Sequence, residues 1–223
     1  MSQFNDPAQV AHYHDGPPRF VPGFTDVQRM ARVLLAERAP PDARVLVLGA
    51  GGGLELKSFA DHQAQWTFDG VDPSPAMLAL ARTTVAVHAP RIRLHEGYMD
   101  AAPPGPFDAA CCLLTMHFMP VEERKRVLAA LHAHLRPGSP LVVMHMSIAG
   151  DAAERARWMA RDEAFAVSGG VDAEMAARRR EGILQALTVL APEQDEAMLR
   201  EAGFNDITLF YAGGVFRGWV CHA

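Results

Sequence analysis

The sequence predicts an α/β chain: a doubly wound sheet of seven strands, mostly parallel, with a C-terminal antiparallel hairpin. Three observations carry this. Short apolar runs alternate with amphipathic segments from about residue 45 to residue 144, the pattern of strand–helix–strand crossovers. Phe107 to Leu114 is nearly continuously apolar, as expected of a parallel strand covered on both faces. Near the end, two runs rich in β-branched and aromatic residues flank Gly213-Gly214, which reads as a hairpin.

The elements follow in order. Residues 1–24 are rich in Pro, Gly, His and aromatics, as in Tyr13-His14-Asp15-Gly16-Pro17-Pro18-Arg19-Phe20; such a stretch resists regular structure and reads as an arm. Thr25 and Gln28 have capping-box spacing ahead of Val27, Met30, Ala31, Leu34 and Leu35, so a helix is expected to run to about Arg38 before Pro40-Pro41. Val45 to Leu48 is the first strand, Leu54 to about Ala60 a helix, and Trp66 to Asp72 the second strand. Ser74 then serves as an N-cap with Pro75 at the first helical position. Arg91 to His95 is a third strand, Phe107 to Leu114 a fourth, 121–135 a helix closed by Pro137-Gly138, and Leu141 to Met144 a fifth strand. Two helices at roughly 150–166 and 172–189 interrupt the alternation and read as a helical cap inserted at about 150–190, within a single domain spanning 1–223. A last helix stops at Gly203, and Ile207 to Tyr211 with Val215 to Val220 form the hairpin.

Composition narrows the function. Of 223 residues, 49% are hydrophobic and 21% charged, which suits a folded domain and excludes a disordered chain. No apolar run is long enough to span a membrane, and Met1 to Asp6 has no signal-peptide pattern, so a cytoplasmic setting without membrane association is expected. The three cysteines, Cys111, Cys112 and Cys221, lack both a disulfide framework and a metal-ligand spacing and read as core thiols; no metal is expected. A net charge of −5 argues against nucleic acid and favours a small-molecule substrate. A homodimer is compatible with the sequence.

The densest signal is the first strand running into Gly49-Ala50-Gly51-Gly52-Gly53. Glycines let such a loop take positive φ and let a ligand lie against bare backbone, while the N–H groups opening the next helix face an anionic group. A dinucleotide loop G-x-G-x-x-G would place its third glycine at position 54, where this chain has Leu54. Asp72 lies 23 positions after Gly49, at the end of the next strand, where a carboxylate can accept hydrogen bonds from both ribose hydroxyls. Its plainer alternative is to turn the chain ahead of the Ser74 helix.

Four stretches, Val45 to Gly53, Val71-Asp72-Pro73-Ser74-Pro75-Ala76-Met77-Leu78, Leu135-Arg136-Pro137-Gly138 and Leu199-Arg200-Glu201-Ala202-Gly203-Phe204, together resemble the successive motifs of class I S-adenosylmethionine-dependent methyltransferases. The resemblance covers about residues 40 to 220 and implies a Rossmann-like fold with S-adenosyl-L-methionine as cofactor. Val21-Pro22-Gly23-Phe24 and Ser74-Pro75-Ala76-Met77 are similar to the carboxy-S-adenosylmethionine synthase subfamily, enzymes of tRNA wobble-uridine modification.

By that resemblance Gly49, Ala50 and Gly51 pass beneath the methionine half of the cofactor, Asp72 holds the ribose, Pro73 lies beside the adenine and Tyr98-Met99 contacts the ring. Phe24, Met77 and Leu114 complete the expected cofactor site, and Leu113 to His117 line the reaction chamber. There are departures. Many relatives have an acid where this chain has Val47, and the synthase has tyrosine, aspartate and asparagine at the positions of Phe24, Tyr98 and Leu113. Arg180 aligns with an arginine that grips the extra carboxylate of the synthase's cofactor, although Arg178-Arg179-Arg180 also reads as a solvated helix face.

Methyl transfer asks the protein mainly for alignment, since a sulfonium is already a good leaving group. Where the acceptor must lose a proton, His117 after the fourth strand and His145 after the fifth are the candidate bases, each with a structural alternative. Tyr13 and His14 of the arm are candidates for facing the substrate. The expected function is methyl transfer to a small-molecule acceptor; the alternatives are a carboxy-S-adenosylmethionine synthase-like enzyme and a non-catalytic S-adenosylmethionine-binding protein.

Overall fold

The computed structural model describes Val10 and residues 13–223. Of the stretch 1–24 expected as an arm, the positions before Tyr13, Val10 apart, lie outside the described residues. From Tyr13 on it is not irregular as expected but holds a 3-10 turn at Tyr13–Asp15 and a short helix at Pro17–Phe20, which Pro17 can open because its φ suits a first helical turn. Seven strands form one sheet: β1 (Arg44–Leu48), β2 (Thr67–Asp72), β3 (Ile92–Glu96), β4 (Ala109–Leu113), β5 (Pro140–Met146), β6 (Asn205–Gly213) and β7 (Phe216–His222). Their order is β3-β2-β1-β4-β5-β7-β6. The first five pair in parallel and β7 is antiparallel to both β5 and β6, so the expected fold class holds, hairpin included.

Strand alternation divides the core in two. Val45, Val47, Ala109, Cys111, Val142 and Met144 face one side, where they meet Val27, Ala31, Leu35, Leu56 and Phe59. Leu46, Leu48, Ala110, Cys112, Leu141 and Val143 face the other, against Leu128, Leu131, Met198, Leu199 and Trp219. Period-two side chains of central strands must be apolar at every position when both faces are covered, which explains the unbroken run at Ala109 to Leu113. All three cysteines are buried and free. Asp69, buried in β2, joins Arg44 of β1 at 2.9 Å to His95 of β3 at 2.8 Å.

Around the sheet lie the α-helices α1 (Pro17–Phe20), α2 (Phe24–Ala36), α3 (Leu54–Ala60), α4 (Pro75–Thr84), α5 (Val121–His134), α6 (Ala152–Ser168), α7 (Ala173–Ala186) and α8 (Pro192–Glu201), together with short 3-10 turns. Ser74 caps α4 as expected, its hydroxyl accepting from Met77 N–H at 3.1 Å with Pro75 at the start of the helix. The capping box expected at Thr25 is absent. Gly23, at φ 62°, makes the turn into α2 without a side-chain cap, and Gln28 instead reaches Glu55 on α3, 3.4 Å away. Asp151 and Asp172 cap α6 and α7. These two helices pack on each other and on α1: Phe20 meets Ala166, Val171 and Ala176, and the Arg179 guanidinium, paired with Asp162, lies 4.4 Å from the Phe20 ring centre. Among the described residues no helix is long and apolar enough to cross a membrane.

Candidate functional site

The sheet reverses its winding between β1 and β4, with β2 and β3 to one side and β5 to the other. A crevice at the carboxyl ends of the strands is the expected result, and a cavity lies there. Leu48, Gly49 and Gly51 form one wall, Val71, Asp72, Pro73, Ser74 and Met77 the second, Gly97, Tyr98 and Met99 the third, and Leu113, Leu114 and Thr115 the fourth. Phe118, Met119, Glu123 and Val127 continue the last wall, while Tyr13 and Glu55 close the end beside the glycine loop.

Backbone geometry builds the first wall. Gly49 adopts φ 76°, its N–H and that of Ala50 both donate to Val71 O at 2.8 and 3.0 Å, and a Cβ there would collide with Thr115. Gly51 takes φ 49°, with Met77 Cε and Tyr13 Oη 3.3 and 3.5 Å from where a Cβ would stand. Across the cavity Leu114 holds φ 55°, its N–H donating to Met144 O at 2.6 Å. A branched-chain residue in that conformation is strained, and here the strain lies on the cavity wall.

Asp72 spans two walls. One carboxylate oxygen accepts from Gly51 N–H and the other from Ser74 N–H, both at 2.9 Å. Burial raises its pKa while these two donors hold it down. Each oxygen keeps a lone pair, so the carboxylate can still accept from a vicinal diol. The bare loop, the diol acceptor and the apolar slot between Pro73 and Leu114 together fit a nucleoside carrying a flexible tail.

Glu55 escaped the sequence reading. It is the second residue of α3, half-buried, and its carboxyl is pushed up to about 7, chiefly by burial, against the opposing hydrogen bond from Gln28. Tyr13 beside it is pushed up strongly, first by burial and then by Glu55 and Asp72. Among the described residues the cavity wall carries three carboxyl groups, Glu55, Asp72 and Glu123, and two phenols, Tyr13 and Tyr98; no Lys, Arg or His lines it. Residues 1–9, 11 and 12 contain no Lys or Arg either. The only sequence signal for Glu55 is its place two residues beyond Gly53; Thr115 falls in the stretch Leu113 to His117 expected at the reaction chamber, whereas Phe118 and Glu123 gave no signal.

Of the sequence-predicted cofactor residues, Gly49, Gly51, Asp72, Pro73, Met77, Tyr98, Met99 and Leu114 converge on the cavity. Ala50 does not line the cavity: its methyl is turned inward toward Gly70 and its N–H is taken by Val71 O. Phe24 does not reach the cavity: it starts α2 with its ring in the core. Tyr13 lines the cavity, whereas His14 sits behind it, its Nε2 3.2 Å from Gly52 O and 3.4 Å from the Thr84 hydroxyl, fastening the arm to the glycine loop.

Both candidate bases and Arg180 lie elsewhere. His117 is buried, and burial followed by the neighbouring His145 and Arg124 holds its pKa well below the usual imidazole range. Its Nδ1 accepts from Met146 N–H at 3.2 Å, so the neutral ring carries its proton on Nε2 and has no lone pair left for an acceptor. His145 points away to a buried ionic group, Nε2 3.1 Å from Asp195, which Arg124 also holds at 2.7 Å. Arg180 is paired with Glu163 of α6 at 2.8 Å.

Residues 45–138 match the family model described as a methyltransferase domain. Over 210 residues the chain is 28% identical to the carboxy-S-adenosyl-L-methionine synthase of Chromohalobacter salexigens, covering 92% of this chain and 78% of that one. A trans-aconitate 2-methyltransferase of Deinococcus radiodurans is 36% identical over 115 residues, 52% of this chain and 42% of the relative. Among solved structures, an O-methyltransferase family protein from Burkholderia thailandensis superposes with TM-score 0.73 at 18% identity; the match takes in 99% of this chain and 61% of that one.

A glycine loop without the dinucleotide spacing, an acid closing the next strand and a β5-β7-β6 antiparallel edge thus occur together with a methyltransferase-domain match. Residues 45–138 resemble a methyltransferase domain, carried on a fold shared with solved methyltransferases. Over nearly its full length the chain is similar to carboxy-S-adenosyl-L-methionine synthases.

Proposed function

We propose that this chain transfers a methyl group from S-adenosylmethionine to a small, uncharged or cationic acceptor in the cytoplasm, admitted beneath the arm and the α6–α7 cap. The supporting observation is the sign of the cavity, whose charged side chains are all acidic among the described residues. A poorly hydrated acidic cavity favours a cation over a neutral or anionic ligand. When bound, the cofactor would supply an electrophilic methyl carried on a sulfonium, already a good leaving group, so that an acceptor lone pair needs alignment more than activation.

The protein's part is positional. Asp72 fixes the ribose end, Pro73 and Leu114 flank the base, and Gly49 and Gly51 let the chain of the cofactor cross bare backbone. The apolar surfaces of Leu113, Phe118 and Met119 exclude water. With His117 and His145 turned to structural partners, no histidine base enters this scheme, and an acceptor proton leaves to solvent after transfer.

The second reading is carboxy-S-adenosylmethionine synthase-like activity, favoured by the similarity across 92% of the chain. A cofactor with an extra carboxylate needs a cation beside it. Arg180, the residue aligned to that task, is committed to Glu163, and Phe24 and Leu113 stand where the synthase is polar. Titration calorimetry with the two cofactors separates the readings. S-adenosylmethionine is expected to bind at least about tenfold tighter, the effect of one unfavourable charge contact; the reverse order replaces methyl transfer by the synthase reading.

A further inference from the structure

We propose that Glu55 is the anchor for the α-ammonium group of the bound cofactor; the assignment rests on S-adenosylmethionine being the ligand. Val47 is apolar and wholly buried, so β1 brings no charge to the methionine end of the cavity. Its side chain faces the sheet side covered by α2 and α3. Glu55 rises from α3 on that same side, and its carboxyl reaches the cavity beside Gly49 and Gly51. The charge at that end is therefore brought by a neighbouring element on the same face.

The order of groups along the cavity supports the assignment. Asp72 marks the ribose, since it closes β2 and is bound to Gly51 N–H. The methionine chain then crosses Gly49 and Gly51, and beyond them the wall is Glu55, overlaid by Tyr13. The Gln28 amide donates to Oε1 of Glu55 from α2 at 3.4 Å, which orients the carboxylate and leaves its remaining lone pairs for a ligand donor. A half-buried carboxylate held close to a second one, Asp72, is costly without a cation between them. The cofactor's ammonium supplies that cation, and charge-assisted hydrogen bonds of this kind are among the strong ones.

The test compares two ligands that differ in the amino-acid tail. S-adenosylhomocysteine carries the ammonium, whereas 5′-methylthioadenosine keeps the nucleoside and sulfur and lacks the whole amino acid. Calorimetry of the full chain and of Glu55→Gln is expected to show S-adenosylhomocysteine weakened about 10- to 100-fold by the substitution, the factor for losing one hydrogen bond to a charged partner. Binding of 5′-methylthioadenosine should stay within about twofold. Asp72→Ala weakens both ligands. An unchanged affinity of Glu55→Gln for S-adenosylhomocysteine, or an equal loss for both ligands, overturns the assignment. Wild-type chain that binds neither ligand overturns the cofactor reading and this assignment with it. Glutamine keeps the size and the contact with Gln28, and a thermal melt of the variant at pH 5, where wild-type Glu55 is also neutral, confirms that the comparison is between folded proteins.

Discussion

At the scale of residues, the site turns on two carboxylates with opposite surroundings. Asp72 is paired to two backbone donors and keeps capacity for a diol. Glu55 has one weak side-chain partner and is pushed up to about 7 by burial. Because this folded-state pKa is raised above the ordinary value of 4.5, Glu55 favours the folded state fully below that ordinary value, and the contribution is lost as pH rises to about 7. The groups facing it are Tyr13 from the arm, Gln28 from α2, Asp72 from β2 and Cys111 from β4, with Cys112 within electrostatic reach on the far side of the strand. Comparison with an isosteric variant isolates the effect from theirs. In thermal melts without cofactor, Glu55→Gln should gain on wild type as pH goes from 5 to 8; a difference independent of pH would show that Glu55 does not titrate in this window. Little of this was legible in the sequence. Asp72 announced itself by its distance from the glycine loop, whereas Glu55 looks like any acid in the first turn of a helix and acquires meaning only when α3 is laid against β1.

At the scale of elements, the succession of strands and helices was legible in outline and less so in detail. Spacing and turn chemistry located α4, because Ser74 and Pro75 act locally. The same logic failed at Thr25, where the chain enters α2 through a left-handed Gly23 and Gln28 is drawn to Glu55; a tertiary partner overrode a local cap. His117 and His145 sit near strand ends as expected, yet one is turned to the Met146 backbone and the other to Asp195. Side-chain direction within a buried layer depends on partners more than 25 residues away, which a strand pattern does not encode. The loop itself gives a sharp expectation. Gly49 combines φ 76° with contact against Thr115, so Gly49→Ala must both occupy a disfavoured backbone region and displace β4's exit. The αL penalty alone is about 1–2 kcal/mol, and the melting temperature should fall accordingly, by about 2–4 °C or more in a chain of this size. An unchanged melting temperature would mean that the loop relaxes into another conformation.

At the scale of the molecule, the topology was the most legible property. Alternating segments dictate the parallel half, and the β-branched pair at the end dictates the antiparallel edge; the order β3-β2-β1-β4-β5-β7-β6 then fixes the crevice without further choice. The fold does not choose between methyl transfer and a synthase-like activity, because the chain is similar both to carboxy-S-adenosyl-L-methionine synthases and to a trans-aconitate 2-methyltransferase. The choice lies in charge. The cavity wall presents carboxylates and no Lys, Arg or His among the described residues, and Arg180 is held by Glu163 outside it. The most direct test of that account is the mass of the small molecule that copurifies with the folded chain and is released on denaturation. The account predicts S-adenosylmethionine or its homocysteine product. A mass higher than that of S-adenosylmethionine by one carboxylate group, or a nicotinamide nucleotide, would contradict it.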